Sequence, residues 1–231
     1  MKFRISQSLP AVDYPAGRKD VVERRLETLE FYKISIGDFV SKGHRGIVFS
    51  GFINPPDYFS SPVKVAIKFA RSDVPKENFI LKEAEILEYL SNRNVVPKVY
   101  YFDAEILVME FLDGESYTTA KFYEREDFKT ILFRIIEACF LLDEMGVEHR
   151  ELKGEDHIIV ANRGVKFIDF ESAKYTENPR NLLQFLGSHI LNLSQDFINH
   201  LNIDSKKLKT GIELYKESRK AGLDEILKAV R

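Results

Sequence analysis

Cysteine is nearly missing from this chain of 231 residues, with Cys139 the single one, so no internal disulfide can form. It lies in an apolar helical stretch and reads as a core thiol, which suits a reducing cytoplasm. Also missing is any run of 18 apolar residues, which rules out a membrane-spanning helix. The opening Met1-Lys2-Phe3-Arg4-Ile5 has neither the apolar stretch nor the small-residue cleavage site of a signal peptide, so the expected location is cytoplasmic, without a membrane partner. Neither sign of charge dominates: 34 basic and 36 acidic side chains leave a formal charge of -2, and any nucleic-acid contact would have to be local. No internal repeat and no low-complexity tract occurs.

What is present is enough apolar material, 44% of the residues, to bury one good core or two small lobes. Residues 1–18 carry Pro10, Pro15 and Gly17 without periodicity and read as an irregular lead-in. Asp20, Val22, Leu26 and Leu29 then give a short, charge-rich amphipathic helix. Three β-rich runs follow, Ile34 to Val40, Ile47 to Ile53 and Val63 to Phe69, with Asn54-Pro55-Pro56-Asp57 turning between the last two. A helix is predicted from about Pro75 through Ile80, Ala84, Leu87 and Leu90, stopping near Asn92 to Asn94. Strands Lys98 to Phe102 and Ile106 to Leu112 come next. Asp113-Gly114 then turns the chain into a second half expected to be helical. Its clearest helix runs from about Asp127 to Met145, with Ile131, Ile135, Ala138, Leu141 and Leu142 on one stripe and Gly146 at its end. Short strands are predicted at Ile158 to Ala161 and Val165 to Ile168. From Pro179 to Arg231 the pattern predicts three helices, separated by Leu201 to Ser205 and by Gly222.

Four segments carry chemistry. Ser41-Lys42-Gly43-His44-Arg45-Gly46-Ile47-Val48 lies between two predicted strands, where glycines let a hairpin backbone approach phosphates closely enough for its amides to donate hydrogen bonds. Val65-Ala66-Ile67-Lys68 matches the V-A-I-K lysine that pairs the α and β phosphates of ATP, and Glu83 on the next helix can anchor that ammonium. His149-Arg150-Glu151-Leu152-Lys153-Gly154-Glu155-Asp156 corresponds to the catalytic loop H-R-D-x-x-x-x-N. Ile168-Asp169-Phe170-Glu171 matches the D-F-G position, whose carboxylate holds magnesium against the β and γ phosphates.

Over roughly residues 34–195 the chain therefore resembles the protein kinase superfamily, and most closely its compact atypical archaeal members related to the RIO and Bud32 kinases. The resemblance implies a bilobal α+β fold. Residues 1–33 would form an N-terminal extension, 34–112 a small antiparallel β-sheet lobe with one helix, and 113–231 a reduced, mainly helical lobe. It implies ATP as substrate with Mg2+ or Mn2+ as cofactor, and a protein as phosphoacceptor. Gly43, Gly46, Val48, Lys68 and Glu83 would hold the nucleotide, with Met109 to Leu112 as hinge and the backbone of Glu110 and Leu112 on the adenine. Asp156 and Asp169 would bind the metal. Lys153, two residues after Glu151, would approach the γ phosphate beside Lys68, and Glu151 would accept the acceptor hydroxyl's proton.

Three departures stand out. Ser41 replaces the first loop glycine, and Glu171 the glycine after Asp-Phe, as in many small-molecule kinases. Glu151 stands where the family has aspartate, and its extra methylene displaces the oxygens by about 1 Å, a misplacement that can cost on the order of 100-fold in rate. His149, His157 and His44 match no zinc spacing. No A-P-E sequence follows Glu171, so a long activation segment has no place here. Two other readings compete. A small-molecule kinase of aminoglycoside or choline type shares the Asp-Phe-Glu variant, yet little chain follows Pro179 to build its pocket. A nucleotide-binding scaffold without transfer activity is supported by Glu151. Residues 205–231 hold eight basic and four acidic side chains, which permit an RNA or acidic partner but fit a solvated helix face more simply.

Overall fold

The computed structural model describes residues 9–55, 61–74, 78–118, 122–154, 156–161 and 164–231. Two compact units divide the chain between Leu112 and Asp113.

The first unit is built on a five-stranded antiparallel sheet in the order β1 (Ile34–Lys42), β2 (Gly46–Ile53), β3 (Val63–Ala70), β5 (Ile106–Glu110), β4 (Val99–Phe102). Alternation drives it: Ile47 and Phe49 on β2 and Val65, Ile67 and Phe69 on β3 point to one buried face, where the Phe49 and Phe69 rings meet edge to face at 5.9 Å. Helix α2 (Phe79–Leu90) buries Ile80, Glu83, Ala84, Leu87 and Leu90, a stripe at helical spacing that contains one carboxylate. The predicted start of this helix at Pro75 lies outside the described residues, as does the Pro56-Asp57 part of the predicted turn.

The N-terminal segment is more ordered than the expected lead-in. A 3-10 turn at Leu9–Asp13 precedes α1 (Lys19–Phe31), and Val12, Val22 and Leu29 join the same core as β1 to β3 and β5. The charge of α1 is partly internal, because Arg25 is only 4% exposed. Its Nη1 donates to the Val12 carbonyl at 2.5 Å and its Nε to Glu105 at 3.0 Å. Buried cations need such partners, and these fasten the segment to the β4–β5 turn.

The second unit is mainly helical and carries the two short strands expected near 158–161 and 165–168, together with three that were not expected. β6 (Gly114–Ser116), β8 (Ile158–Ala161) and β9 (Gly164–Phe167) form a small antiparallel sheet in the order β6-β8-β9, and β7 (Val147–Glu148) pairs with β10 (Lys174–Tyr175). Two- and three-residue strands carry no readable period, so pattern reading misses β6, β7 and β10. Around them lie α3 (Phe128–Glu144), α4 (Asn181–His189), α5 (Gln195–His200), α6 (Ser205–Glu217) and α7 (Arg219–Val230). Cys139 is fully buried on α3, and burial pushes its thiol well up. At the end of α3, the buried Asp143 carboxylate accepts from the Asn181 and Leu182 amides, from Asn181 Nδ2 and from Tyr215 Oη. One carboxylate thereby caps α4 and ties it to α6, while burial raises its pKa.

The tail contains four helices rather than three, and the break falls at Ser218 instead of Gly222. Gly222 lies inside α7 because α6 crosses there: a Cβ would meet the Tyr215 Cα and N at 2.3 Å. Alanine normally stabilises a helix interior by roughly 1 kcal/mol over glycine. Here backbone atoms on a second helix leave no room, and Gly222→Ala should lower unfolding free energy by about 1–3 kcal/mol. Urea denaturation checks this, and a stabilised variant would contradict the packing.

Candidate active site

Within the first unit, β1 and β2 hold the glycine-bearing hairpin: Ser41 pairs with Val48, and the Gly43 amide donates to the Gly46 carbonyl at 2.9 Å. Arg71 fixes the turn from beneath, donating through Nη1 to the Gly43 carbonyl at 3.0 Å and through its amide to the Arg45 carbonyl at 2.9 Å. Ser41 sits inside the strand, so its substitution for glycine costs no backbone freedom. Gly46 is needed for space, since a Cβ there would lie 2.8 Å from Lys68 Cε. Lys68 stands opposite Val48 on β3, and its Nζ meets Glu83 Oε2 at 2.6 Å. Both side chains are buried, at 6% and 1% exposure, so the pair holds the ammonium in one place. Glu110 ends β5, where its amide donates to the Lys98 carbonyl at 2.8 Å, and the predicted strand stops there rather than at Leu112.

Within the second unit, Glu151 and Asp169 come together from opposite sides of the β8–β9 hairpin. Glu151, His157 and Asp169 each offer a ligand atom, and these atoms lie within 4.8 Å of one another. The Glu151 carboxylate is engaged at both oxygens. Oε1 accepts from Ser172 Oγ at 2.5 Å, and Oε2 is 3.6 Å from His157 Nε2. Asp169 has φ of 66° and Arg150 φ of 76°, left-handed conformations that favour glycine and mark both loops as locally strained. Asp156 is exposed at the turn into β8 and is not one of the trio, and Lys153 is exposed as well.

His149 braces the arrangement from inside. Its Nε2–H donates to the Ile168 carbonyl at 2.9 Å, next to Asp169, and its ring meets Phe170 edge on at 4.5 Å. With the proton on Nε2, Nδ1 is left to accept from the Glu151 amide at 3.4 Å. One neutral imidazole thus links the backbone of both loops.

The family model for the protein kinase domain matches residues 41–191. The chain belongs to the protein kinase family. Its matched span runs from the glycine-bearing hairpin to the end of α4, including both groups of residues just described. The antiparallel sheet of the first unit and the helix-rich second unit are those of a protein kinase domain. Among curated proteins, the kinase domain is 27% identical over 176 residues to CDPK-related kinase 5 of Arabidopsis thaliana, covering 68% of this chain and 28% of that protein. It is 28% identical over 118 residues to an uncharacterized protein of Methanocaldococcus jannaschii, covering 48% of this chain and 99% of that one. A Dictyostelium discoideum protein named as a probable serine/threonine-protein kinase is 29% identical over 123 residues, with 46% of this chain and 9% of that protein covered.

Burial lowers the pKa of His149 from 6.5 to about 4. An unfolded chain therefore takes up a proton at this residue below pH 6.5 while the folded kinase domain does not, so stability rises with pH across that window. Acidification from pH 6.5 to 4 should remove about 3 kcal/mol through this residue. Urea midpoints measured across the window in wild type and His149→Asn would show a flatter profile in the variant. Identical profiles would contradict the assignment.

Two partners of Glu151 escaped sequence reading. His157 entered only as a zinc ligand and was set aside on spacing, and Ser172 gave no signal because 21 residues separate it from Glu151.

Proposed function

We propose that this chain is an ATP-dependent serine/threonine protein kinase of compact, atypical type. The observation that carries the reading is the placement of Glu151 beside Asp169, a proton-accepting carboxylate next to a metal-binding one. Residues 34–112 form the nucleotide lobe, with 1–33 as an extension to it. Lys68, held by Glu83, donates to the α and β phosphates. The hairpin amides around Gly43 and Gly46 cover the phosphates, Val48 packs on the adenine, and the backbone groups of Glu110 and Leu112 bond to its edge. In 113–231, Asp169 would hold a divalent ion, with Asp156, exposed at the turn into β8, as its second carboxylate. Two carboxylates suit Mg2+ or Mn2+, and the imidazole within reach of Asp169 adds a donor that Mn2+ accepts readily. When bound, the ion neutralises phosphate charge. Glu151 takes the proton of the acceptor hydroxyl as it attacks, and Lys153 offsets the charge gathering on the γ phosphate. Lys153 and the similar protein named as a probable serine/threonine-protein kinase support a serine or threonine acceptor.

Glu151→Gln should keep ATP affinity, because the phosphate and metal contacts remain, and lower turnover by about 100-fold through loss of the base. Glu151→Asp should keep turnover near the wild-type rate. The comparison is made at saturating ATP with a hydroxyl-bearing protein acceptor. Equal rates in wild type and the Gln variant defeat the catalytic role of Glu151. Tight ATP binding with no transfer in all three proteins favours a nucleotide-binding scaffold.

A further inference from the structure

The segment that precedes α1 grips the glycine-bearing hairpin of the same unit. It lies outside the matched kinase span, which begins at Ser41. Its anchor is just past the end of β3, where the Ser72 amide donates to the Tyr14 carbonyl at 2.8 Å. The Ser72 hydroxyl donates to the same carbonyl at 3.0 Å and accepts from the Ala16 amide at 3.3 Å. Next to it the fully buried Asp13 carboxylate accepts from the Arg18 amide and Nε, each at 2.9 Å, which closes the segment into a turn. These ties fix where the Tyr14 ring sits. Two cations stand over it, Lys42 with Nζ 4.9 Å from the ring centre and Arg71 with Cζ at 5.1 Å. Lys42 Nζ also donates to the Tyr14 hydroxyl at 3.2 Å. Lys42 is the last residue of β1 before the turn, and Arg71 is the residue that holds the Gly43 and Arg45 carbonyls. One aromatic ring therefore touches both attachments of the turn.

The backbone of the hairpin is interrupted close to its tip. Pairing of β1 with β2 shifts register between Ile36 and Phe39 and again between Phe39 and Ser41, and such bulges break the ladder that stiffens a regular hairpin. Side-chain ties take over that task. We propose that Tyr14 is a positioning residue for phosphate binding, clamping the hairpin through Lys42 and Arg71 so that its amides are already arranged for the nucleotide. The inference rests on the nucleotide-binding reading above, while the clamp itself lies wholly within the first unit. A tip that is ordered beforehand loses no further freedom when the phosphates arrive, and that saving appears as affinity.

The test uses the full chain as wild type, Tyr14→Phe, Tyr14→Leu and Tyr14→Ala. Hydrogen exchange at the amides of residues 42–46 is followed without nucleotide, and calorimetry gives the Kd of a non-hydrolysable ATP analogue with Mg2+. Tyr14→Phe keeps the ring beside both cations and should bind within about 2-fold of wild type. Tyr14→Leu and Tyr14→Ala lose both cation contacts, so the hairpin amides should exchange faster and Kd should rise by about 10-fold. Leucine fills the space without a π face, which separates positioning from packing. A Leu variant equal to wild type in both measurements overturns the positioning role, as does a Tyr14→Ala protein with wild-type affinity, even where its hairpin exchanges faster. Both of those results leave the nucleotide reading standing. A folded wild type that binds no nucleotide overturns that reading and the role of Tyr14 with it.

Discussion

Removing the charge of Asp169 is expected to abolish phosphoryl transfer, with a loss on the order of 1000-fold, the scale seen when a single preorganised electrostatic contact is lost from a transition state. Metal-dependent nucleotide binding should disappear with it. The choice of substitution matters because Asp169 has φ of 66°. Aspartate and asparagine tolerate that left-handed conformation, whereas alanine adds a backbone cost of roughly 1–2 kcal/mol. Asp169→Asn is thus the clean variant, one that removes charge while keeping the backbone preference, and its thermal midpoint should stay near the wild type. Asp169→Ala should lose activity to the same extent and stability in addition. Turnover measured at saturating ATP and divalent ion decides the matter, and wild-type turnover in the Asn variant would contradict the proposed metal-binding role of Asp169.

The second large effect is expected at the buried pair. Glu83 is fully buried and Lys68 is 5% exposed, so Glu83→Ala strips a desolvated ammonium of the carboxylate at 2.6 Å. Breaking such a pair from one side costs about 3–5 kcal/mol, a large fraction of a domain's stability. Replacing both members by apolar residues of similar size, Lys68→Met with Glu83→Leu, removes both charges and should recover most of that loss. Transfer should not recover, because the ammonium proposed to bind the phosphates is gone. Urea denaturation of the two single variants and the double variant gives the coupling directly. A Glu83→Ala protein within about 1 kcal/mol of wild type would show that the ion pair is not what holds Lys68.

The sheet and α2 were legible in the sequence because they bury one face against water on the other. Ile47, Phe49, Val65, Ile67 and Phe69 alternate, and Ile80, Ala84, Leu87 and Leu90 recur at helical spacing. Glu83 was legible for a different reason, as a charge in an apolar stripe behind a V-A-I-K strand. Features whose cause lies far along the chain were not legible. Gly222 read as a helix break, since glycine usually punctuates, but it serves close packing against Tyr215. Arg25 gives no signal in the sequence, because its partners Val12 and Glu105 lie 13 and 80 residues away. In the same way, the motifs pointed to Glu151 and Asp169 singly. The partners that pin the Glu151 carboxylate, Ser172 and His157, depend on how the chain returns after β9, which local pattern does not encode.

Acid-stable transfer of label from γ-labelled ATP to serine or threonine, by the purified chain with Mg2+ or Mn2+, tests the central claim most directly. The account predicts label that requires the divalent ion and is lost in Asp169→Asn. Unlabelled protein in every arm, with the wild type shown to be folded, would contradict it.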